Sequence, residues 1–346
     1  MRLLVLGGGR FVGPAVVEAA LSAGWEVTAF NRGRTGRVPR DAEAIVGDRT
    51  DPEALRALGE GTWDAAVDTW SRDPRVVRDA AKALAGSVER YAYVSSRSVY
   101  RWPPAPEADE TAPVVEGDPD SAASDYPSDK RGGELAVERA LGSERVVLLR
   151  AGLILGPGED VGRLPWWLRR VSEGGRVLAP GPPDLPLQYV DARDLAAFAI
   201  LALESTLSGP FDVVSRTGHA TMQAVLEACR RSTGSDADLV WVDPDFLLAA
   251  DVEPWIELPI WVPPGHEDHA VHSSDVTRAH DAGLRCRPVE ETVADTWRWM
   301  RETPPEDWAP DRSADLGIGL AGEKEHAILA RWEESKGRGG SRRAPE

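Results

Sequence analysis

The sequence predicts an α/β protein built on an open, doubly wound parallel sheet, with a smaller, discontinuous C-terminal α/β lobe for substrate. Three observations predict it. The segment Arg2–Leu6 reads as an apolar run that stops at Gly7-Gly8-Gly9, and apolar residues then recur at helical spacing from Phe11 to Ala23. That is a buried strand, a glycine turn and a helix ended by Gly24. Further apolar segments lie at Glu26–Phe30, Glu43–Val46, Asp64–Asp68, Arg90–Ser95 and Arg145–Leu149, with helical stretches between most of them, and strands alternating with helices imply parallel βαβ units. After Gly156 the pattern loosens: Ala179-Pro180-Gly181-Pro182-Pro183 interrupts short apolar pieces and Trp becomes frequent, which marks the second lobe.

Individual elements follow from local signals. Thr50-Asp51-Pro52-Glu53 is a capping box with Pro in the first turn, so a helix starts there. A helix at Asp194–Glu204 and a strand at Pro210–Val214 are expected to return to the first sheet. The nucleotide domain is therefore expected at residues 1–155 plus about 186–216, and the substrate lobe at about 156–185 plus 217–300. Residues 301–346 form a C-terminal extension, with a helix at Glu323–Glu334 and a disordered end at Ser335–Glu346.

Composition narrows the function classes. The 346 residues carry 57 acidic and 40 basic side chains, a net charge of −17, and only four lysines: Lys82, Lys130, Lys324 and Lys336. An acidic chain is a poor match for a phosphate backbone, so no nucleic-acid partner is expected. With 42% hydrophobic and 28% charged residues the chain is an ordinary folded protein, and no eighteen-residue apolar run offers a membrane span. The N-terminus MRLLVLGGG has neither a charged lead nor a small-residue cleavage site, so Met1 is expected near the start of a cytoplasmic protein. Cys229 and Cys286 lack zinc-type spacing, and His266-Glu267-Asp268-His269-Ala270-Val271-His272 is one residue too short for His-Glu-x-x-His and reads as a surface loop. No metal is expected.

A glycine turn between the first strand and helix places backbone N–H groups of Gly9, Arg10, Phe11 and Val12, and the positive helix end, where a pyrophosphate binds. Gly7 lets the chain turn and Gly13 lets helix and strand pack closely, while Arg10 stands where a second glycine of the motif would be. At the end of the second strand an acidic residue would bind a ribose 2′-hydroxyl. The chain has Asn31-Arg32-Gly33-Arg34 instead. Two guanidinium groups, with Arg10 as a third, suit a 2′-phosphate, each charge-assisted bond being worth roughly 1.5–3 kcal/mol before screening. NADP is thus expected ahead of NAD, with Asp48 placed to meet the adenine edge.

Tyr126-Pro127-Ser128-Asp129-Lys130 opens a helix, and residues four apart share a face. A phenol titrating near ~10 is a poor acid or base at neutral pH. A cation at ~4 Å in an effective dielectric of ~20 is worth about 4 kcal/mol, or roughly three pKa units. That makes Tyr126 a usable general acid or base. Ser96, with Ser95 beside it at the end of the fifth strand, can bind the same substrate oxygen. Trp70 and Trp102 follow the fourth and fifth strands at their carboxyl ends, and Trp166 with Trp167 opens the second lobe; indoles there suit a planar or apolar carbonyl compound, and Trp166 and Trp167 equally suit packing of the lobe itself. Asp68 is expected to be structural.

Taken in order, Gly7 to Gly13, Ser96-x-x-Val99-Tyr100, Tyr126-x-x-x-Lys130 and Arg150-Ala151-Gly152-Leu153-Ile154-Leu155-Gly156-Pro157 resemble the extended short-chain dehydrogenase/reductase family, the NAD-dependent epimerase/dehydratase group, over about residues 1–300. The resemblance implies a Rossmann domain, nicotinamide chemistry and a Ser-Tyr-Lys triad on Ser96, Tyr126 and Lys130, with Lys130 also holding the nicotinamide ribose. It also implies a small-molecule substrate, and homodimers are common in such enzymes. Arg10 resembles atypical members, including a branch of chloroplast stem-loop RNA-binding proteins. Sugar-nucleotide enzymes of the family place Asn and Arg where this chain has Leu153 and Leu187, so a diphosphate would lose its partners. An oxidoreductase acting on a small carbonyl or hydroxyl substrate is the leading expectation. A nucleotide-sugar epimerase or dehydratase with tightly bound NAD, and a non-catalytic nucleotide-sensing or RNA-associated Rossmann protein, are the alternatives.

Overall fold

The computed structural model describes residues 1–34, 38–304 and 316–340, with side chains of the last helix described to Lys336. Two compact units divide the chain: Met1–Ile154, Gln188–Arg216 and Ser273–Arg287 form the first, and Leu155–Leu187, Thr217–His272 and Pro288–Glu346 the second.

The first unit is a parallel sheet of seven strands: β1 (Arg2–Leu6), β2 (Glu26–Asn31), β3 (Glu43–Val46), β4 (Trp63–Asp68), β5 (Val88–Ser96), β6 (Val146–Ala151) and β7 (Gly209–Val213). Their order is β7-β6-β5-β4-β1-β2-β3, every neighbouring pair parallel. Strands buried on both faces explain the unbroken apolar runs in the sequence. In β1, Leu3 and Val5 face a core shared with α1 (Val12–Ser22) and α5 (Ala192–Glu204). Leu4 and Leu6 face the opposite core, shared with α2 (Pro52–Gly59), α3 (Pro74–Leu84) and α4 (Tyr126–Leu141). The strand order reverses at β1, between β2 and β4, and the carboxyl ends of the strands on either side of that point are where ligands of such sheets bind.

Three local differences from the sequence expectation have physical causes. The cap of α2 is Asp51, whose carboxylate accepts from Glu53 N–H at 3.0 Å, because Thr50 N–H and hydroxyl both go to Asp48 at 2.9 and 2.8 Å. Ser273–Arg287, expected in the substrate lobe, belongs to the first unit. Ala279 and Leu284 join its core, and Arg287 pairs with Asp194 of α5 at 2.7 Å. The final helix runs Gly322–Gly340, past Ser335 where a disordered end is expected; residues 341–346 lie outside the described residues.

In the second unit the strand Arg176–Pro180 pairs in parallel with Asp238–Val242, and Pro186–Leu187 pairs antiparallel with Ala220–Thr221. Helices Arg163–Ser172, Met222–Thr233, Val289–Glu302 and Gly322–Gly340 belong to this unit. Trp167 and Trp261 are fully buried, and their indole N–H groups donate to Pro259 O at 2.7 Å and Gly181 O at 2.9 Å. The histidine stretch expected as a surface loop forms a 3-10 helix, Glu267–His272, and His272 is buried with Nε2 at 3.0 Å from Ile260 O. Among the described residues no helix is long and apolar enough to cross a membrane.

Candidate active site and nucleotide pocket

The glycine turn is built for close approach. Gly7 adopts φ +107°, a left-handed conformation that favours glycine. At Gly13 an added Cβ would overlap the Gly7 carbonyl oxygen and come within 2.9 Å of Gly8 Cα. Gly7 N–H donates to Phe30 O at 3.0 Å, fastening the turn to β2, and Gly9 N–H and Gly13 N–H donate within the turn itself. Phe11 precedes α1 at φ 46° with no side-chain cap, a strained conformer that costs of order 1–3 kcal/mol. Gly9, Val12 and Gly13 are buried, and Arg10 is exposed. The missing Cβ at Gly13 thus lets the start of α1 pack directly on the backbone of the turn, and the N–H groups of the first turn of α1 have no partner within the helix.

At the next strand end, Asn31 accepts from Gly33 N–H at 2.7 Å, turning the chain so that exposed Arg32 and Arg34 follow. Asp48, past β3, is held below the usual carboxylate range, chiefly by the Thr50 N–H and hydroxyl, with further pulls from Arg32 and Arg34. Asp48 and the two arginines thus follow the carboxyl ends of the paired strands β3 and β2.

The proton-transfer candidates come from β5 and α4. Ser96 ends β5, and its hydroxyl accepts from Ser98 N–H at 3.1 Å, capping a 3-10 turn at Arg97–Val99. Tyr126 is the first residue of α4, behind the Asp125 cap, and is 43% exposed. Lys130, one turn on, is 3% exposed and donates to Trp70 O at 2.7 Å and Val94 O at 2.6 Å. Its ammonium also lies 4.9 Å from the centre of the Tyr93 ring. The lysine is thus tied to the carboxyl ends of β4 and β5, while the phenol on the same helix face stays accessible.

One turn further along the same face sits a buried ionic hub. Glu134, fully buried and four residues after Lys130, accepts from Ser95 Oγ at 2.7 Å, Arg131 at 2.8 Å, and Arg150 Nε and Nη2 at 2.9 and 3.0 Å. Arg150 also donates to Tyr100 Oη at 3.1 Å, and Tyr100 donates to Asp212 at 2.6 Å. Burial pushes Asp212 up to about 7 against the pull of Arg97, whose Nε lies 3.6 Å away.

Of the three tryptophans, Trp70 has its indole N–H on Asp73 O at 3.2 Å and contributes its main-chain carbonyl to Lys130. Trp102 is exposed on the loop after Tyr100. Trp166 belongs to the second unit, where its ring meets Trp167 edge-on at 4.6 Å. Asp68 is fully buried and paired with Arg49, in keeping with a structural role. Residues that sequence reasoning missed are Glu134, Arg150, Tyr93 and Arg49. The spacing 126, 130, 134 on one helix face was the available signal for Glu134, and Arg150 stood in the quoted motif without a role; nothing local marked Tyr93 and Arg49.

Comparison with known proteins gives this architecture relatives. The model of the NAD dependent epimerase/dehydratase family matches residues 59–214. The chain is 32% identical over 212 residues to the 2'-dehydrokanamycin reductase of Streptomyces kanamyceticus, covering 58% of this chain and 58% of that protein, so it spans less than two thirds of that relative. It is 30% identical over 229 residues to the 2-alkyl-3-oxoalkanoate reductase of Stenotrophomonas maltophilia, covering 60% of this chain and 67% of that one. The fold matches the Bordetella bronchiseptica enzyme WbmH, solved in complex with NAD+, with a TM-score of 0.65 at 19% identity over 87% of this chain and 98% of that one.

Proposed function

Because the chain belongs to the NAD dependent epimerase/dehydratase family, we propose that it is an NADP(H)-dependent oxidoreductase of a small carbonyl or hydroxyl substrate, with Tyr126 as general acid and base. The observation that carries this reading is the buried Lys130 ammonium, pinned by the Trp70 and Val94 carbonyls at the strand ends on the same α4 face as Tyr126. A fixed cation there stabilises the phenolate and lets Tyr126 Oη exchange a proton with a substrate oxygen near neutral pH. Ser96 would hold that oxygen by turning its hydroxyl from Ser98 to the substrate. The nicotinamide cofactor, when bound, supplies or accepts the hydride. Gly7 to Gly13 would hold its pyrophosphate, Asp48 its adenine, and Arg32 and Arg34 its 2′-phosphate.

Two further points support a reductase over a sugar-nucleotide enzyme. Both relatives described above are named as reductases. Leu153 and Leu187, each buried in its own unit, offer no donor to a substrate diphosphate.

The test is fluorescence titration with NADPH and NADH, followed by turnover of wild type and Tyr126→Phe on a panel of ketones and aldehydes. NADPH is expected to bind more tightly. Tyr126→Phe is expected to keep NADPH affinity within about twofold and lose turnover by about 10²–10⁴. Retained turnover removes Tyr126 from the chemistry. Nicotinamide that co-purifies and survives dialysis, with activity on nucleotide sugars, overturns the reductase reading.

A further inference from the structure

We propose that the buried Arg49–Asp68 pair is a positioning device for Lys130, acting through the main chain of Trp70. The proposal deepens the reading of Lys130 given above. Asp68 ends β4 with no solvent exposure, and Arg49, between β3 and α2, is 8% exposed. They form a bidentate pair, both contacts 2.7 Å. The Asp68 carboxylate takes two further bonds: Tyr91 Oη donates at 2.9 Å, and Trp70 N–H donates at 2.9 Å. Burial pushes the carboxyl up, but the Arg49 charge and these donors outweigh it and leave Asp68 below its ordinary value, hence ionised.

Trp70 is held at each of its groups. Its N–H is on Asp68, its ring lies 4.9 Å from the Arg49 guanidinium, and its indole N–H is on Asp73 O at 3.2 Å. Its carbonyl accepts from Tyr93 Oη at 3.2 Å and from Lys130 Nζ at 2.7 Å. Burial pushes the Tyr91 and Tyr93 phenols up, so both remain donors. A buried ion pair by itself is a weak source of stability, since apolar residues of similar volume often do as well. What apolar residues could not supply is the directional acceptor that turns Trp70 and aims its carbonyl at the ammonium. Coulomb attraction falls with distance, so a drift of the ammonium from ~4 to ~6 Å would change the phenol's acid–base equilibrium by about tenfold.

With only four lysines, lysine-labelled protein gives an ammonium NMR signal for Lys130 that the Lys130→Arg variant assigns. Two double variants remove both buried charges and differ in the polar group left at position 68 for Trp70 N–H and Tyr91 Oη. Arg49→Leu with Asp68→Asn keeps an acceptor for Trp70 N–H, whereas Arg49→Leu with Asp68→Leu does not. The first is expected to retain slow ammonium exchange at Lys130 and NADPH affinity within about threefold. The second is expected to speed the exchange by tenfold or more and weaken NADPH by about tenfold. Equal Lys130 exchange in the two doubles overturns the proposal. So does wild-type Lys130 exchanging as fast as exposed Lys82, a result that needs no variant to fold. If Lys130→Met leaves NADPH binding unchanged, the cofactor role of Lys130 fails, while the exchange data still judge the positioning.

Discussion

Replacing Glu134 by Gln tests the ionic hub one turn beyond Lys130 on α4. The side chain is fully buried and accepts four bonds, from Ser95, Arg131 and twice from Arg150. A glutamine oxygen at the Oε1 position keeps Ser95 and Arg150 Nε, but its amide then meets Arg150 Nη2 and Arg131 Nη1, donor against donor. Two charge-assisted bonds are lost, at roughly 1.5–3 kcal/mol each. Arg150 keeps Tyr100 Oη and Glu110 O at 3.1 and 3.4 Å, which limits the penalty for its unpaired charge. Breaking one side of a buried pair costs about 3–5 kcal/mol, which agrees with the bond count. At about 2–4 °C per kcal/mol the melting temperature should fall by roughly 6–20 °C. Urea unfolding followed by near-UV circular dichroism, with calorimetry, measures both. Glu138→Gln, one turn further and half-buried, is the control and should change stability by less than about 1 kcal/mol. A loss below 1 kcal/mol in Glu134→Gln would refute the argument, because it would mean that the two lost contacts carry no net coupling.

Two other outcomes follow from charges. Arg32→Ala with Arg34→Ala should weaken NADPH by about 10–100-fold and NADH by less than threefold, with the NADPH loss shrinking at high salt because both side chains are exposed; equal losses for the two cofactors would count against a 2′-phosphate site. Asp212, raised to about 7 by burial, holds a proton in the folded state that the unfolded chain releases near ~3.9. Stability therefore falls as pH rises through the window from about 4 to 7, by up to about 1.4 kcal/mol per unit, and levels off above it. Asp212→Asn, whose side-chain oxygen still accepts from Tyr100, should flatten that part of the profile relative to wild type. Parallel stability curves for the two proteins between pH 5 and 8 would contradict it.

What sequence made legible, and what it hid, divides by whether a feature depends on a residue's own position or on its partner. The sheet was readable because Leu3 to Leu6 are buried on both faces, so the apolar run needs no knowledge of neighbours. Gly7 and Gly13 were readable because only glycine fits their turn, and Tyr126 with Lys130 because helical spacing alone puts them on one face. Glu134 and Arg150, sixteen positions apart, look like ordinary surface charges until α4 is laid against β6. Arg49 and Asp68 are hidden in the same way, since nothing in a connecting segment announces that it will fold under a strand end nineteen residues away. The segment Ser273–Arg287 goes back to the first unit through the pairing of Arg287 with Asp194, ninety-three positions earlier in the chain. Trp70 shows the limit most clearly. Its position after β4 was readable and its indole was the natural focus, yet the atom that meets Lys130 is its main-chain carbonyl, which every residue possesses. The N–H of the same residue is held by the Asp68 carboxylate. A Trp70→Phe change should accordingly disturb the Lys130 ammonium less than removal of the Asp68 carboxylate, since it deletes one indole bond and spares the main-chain link.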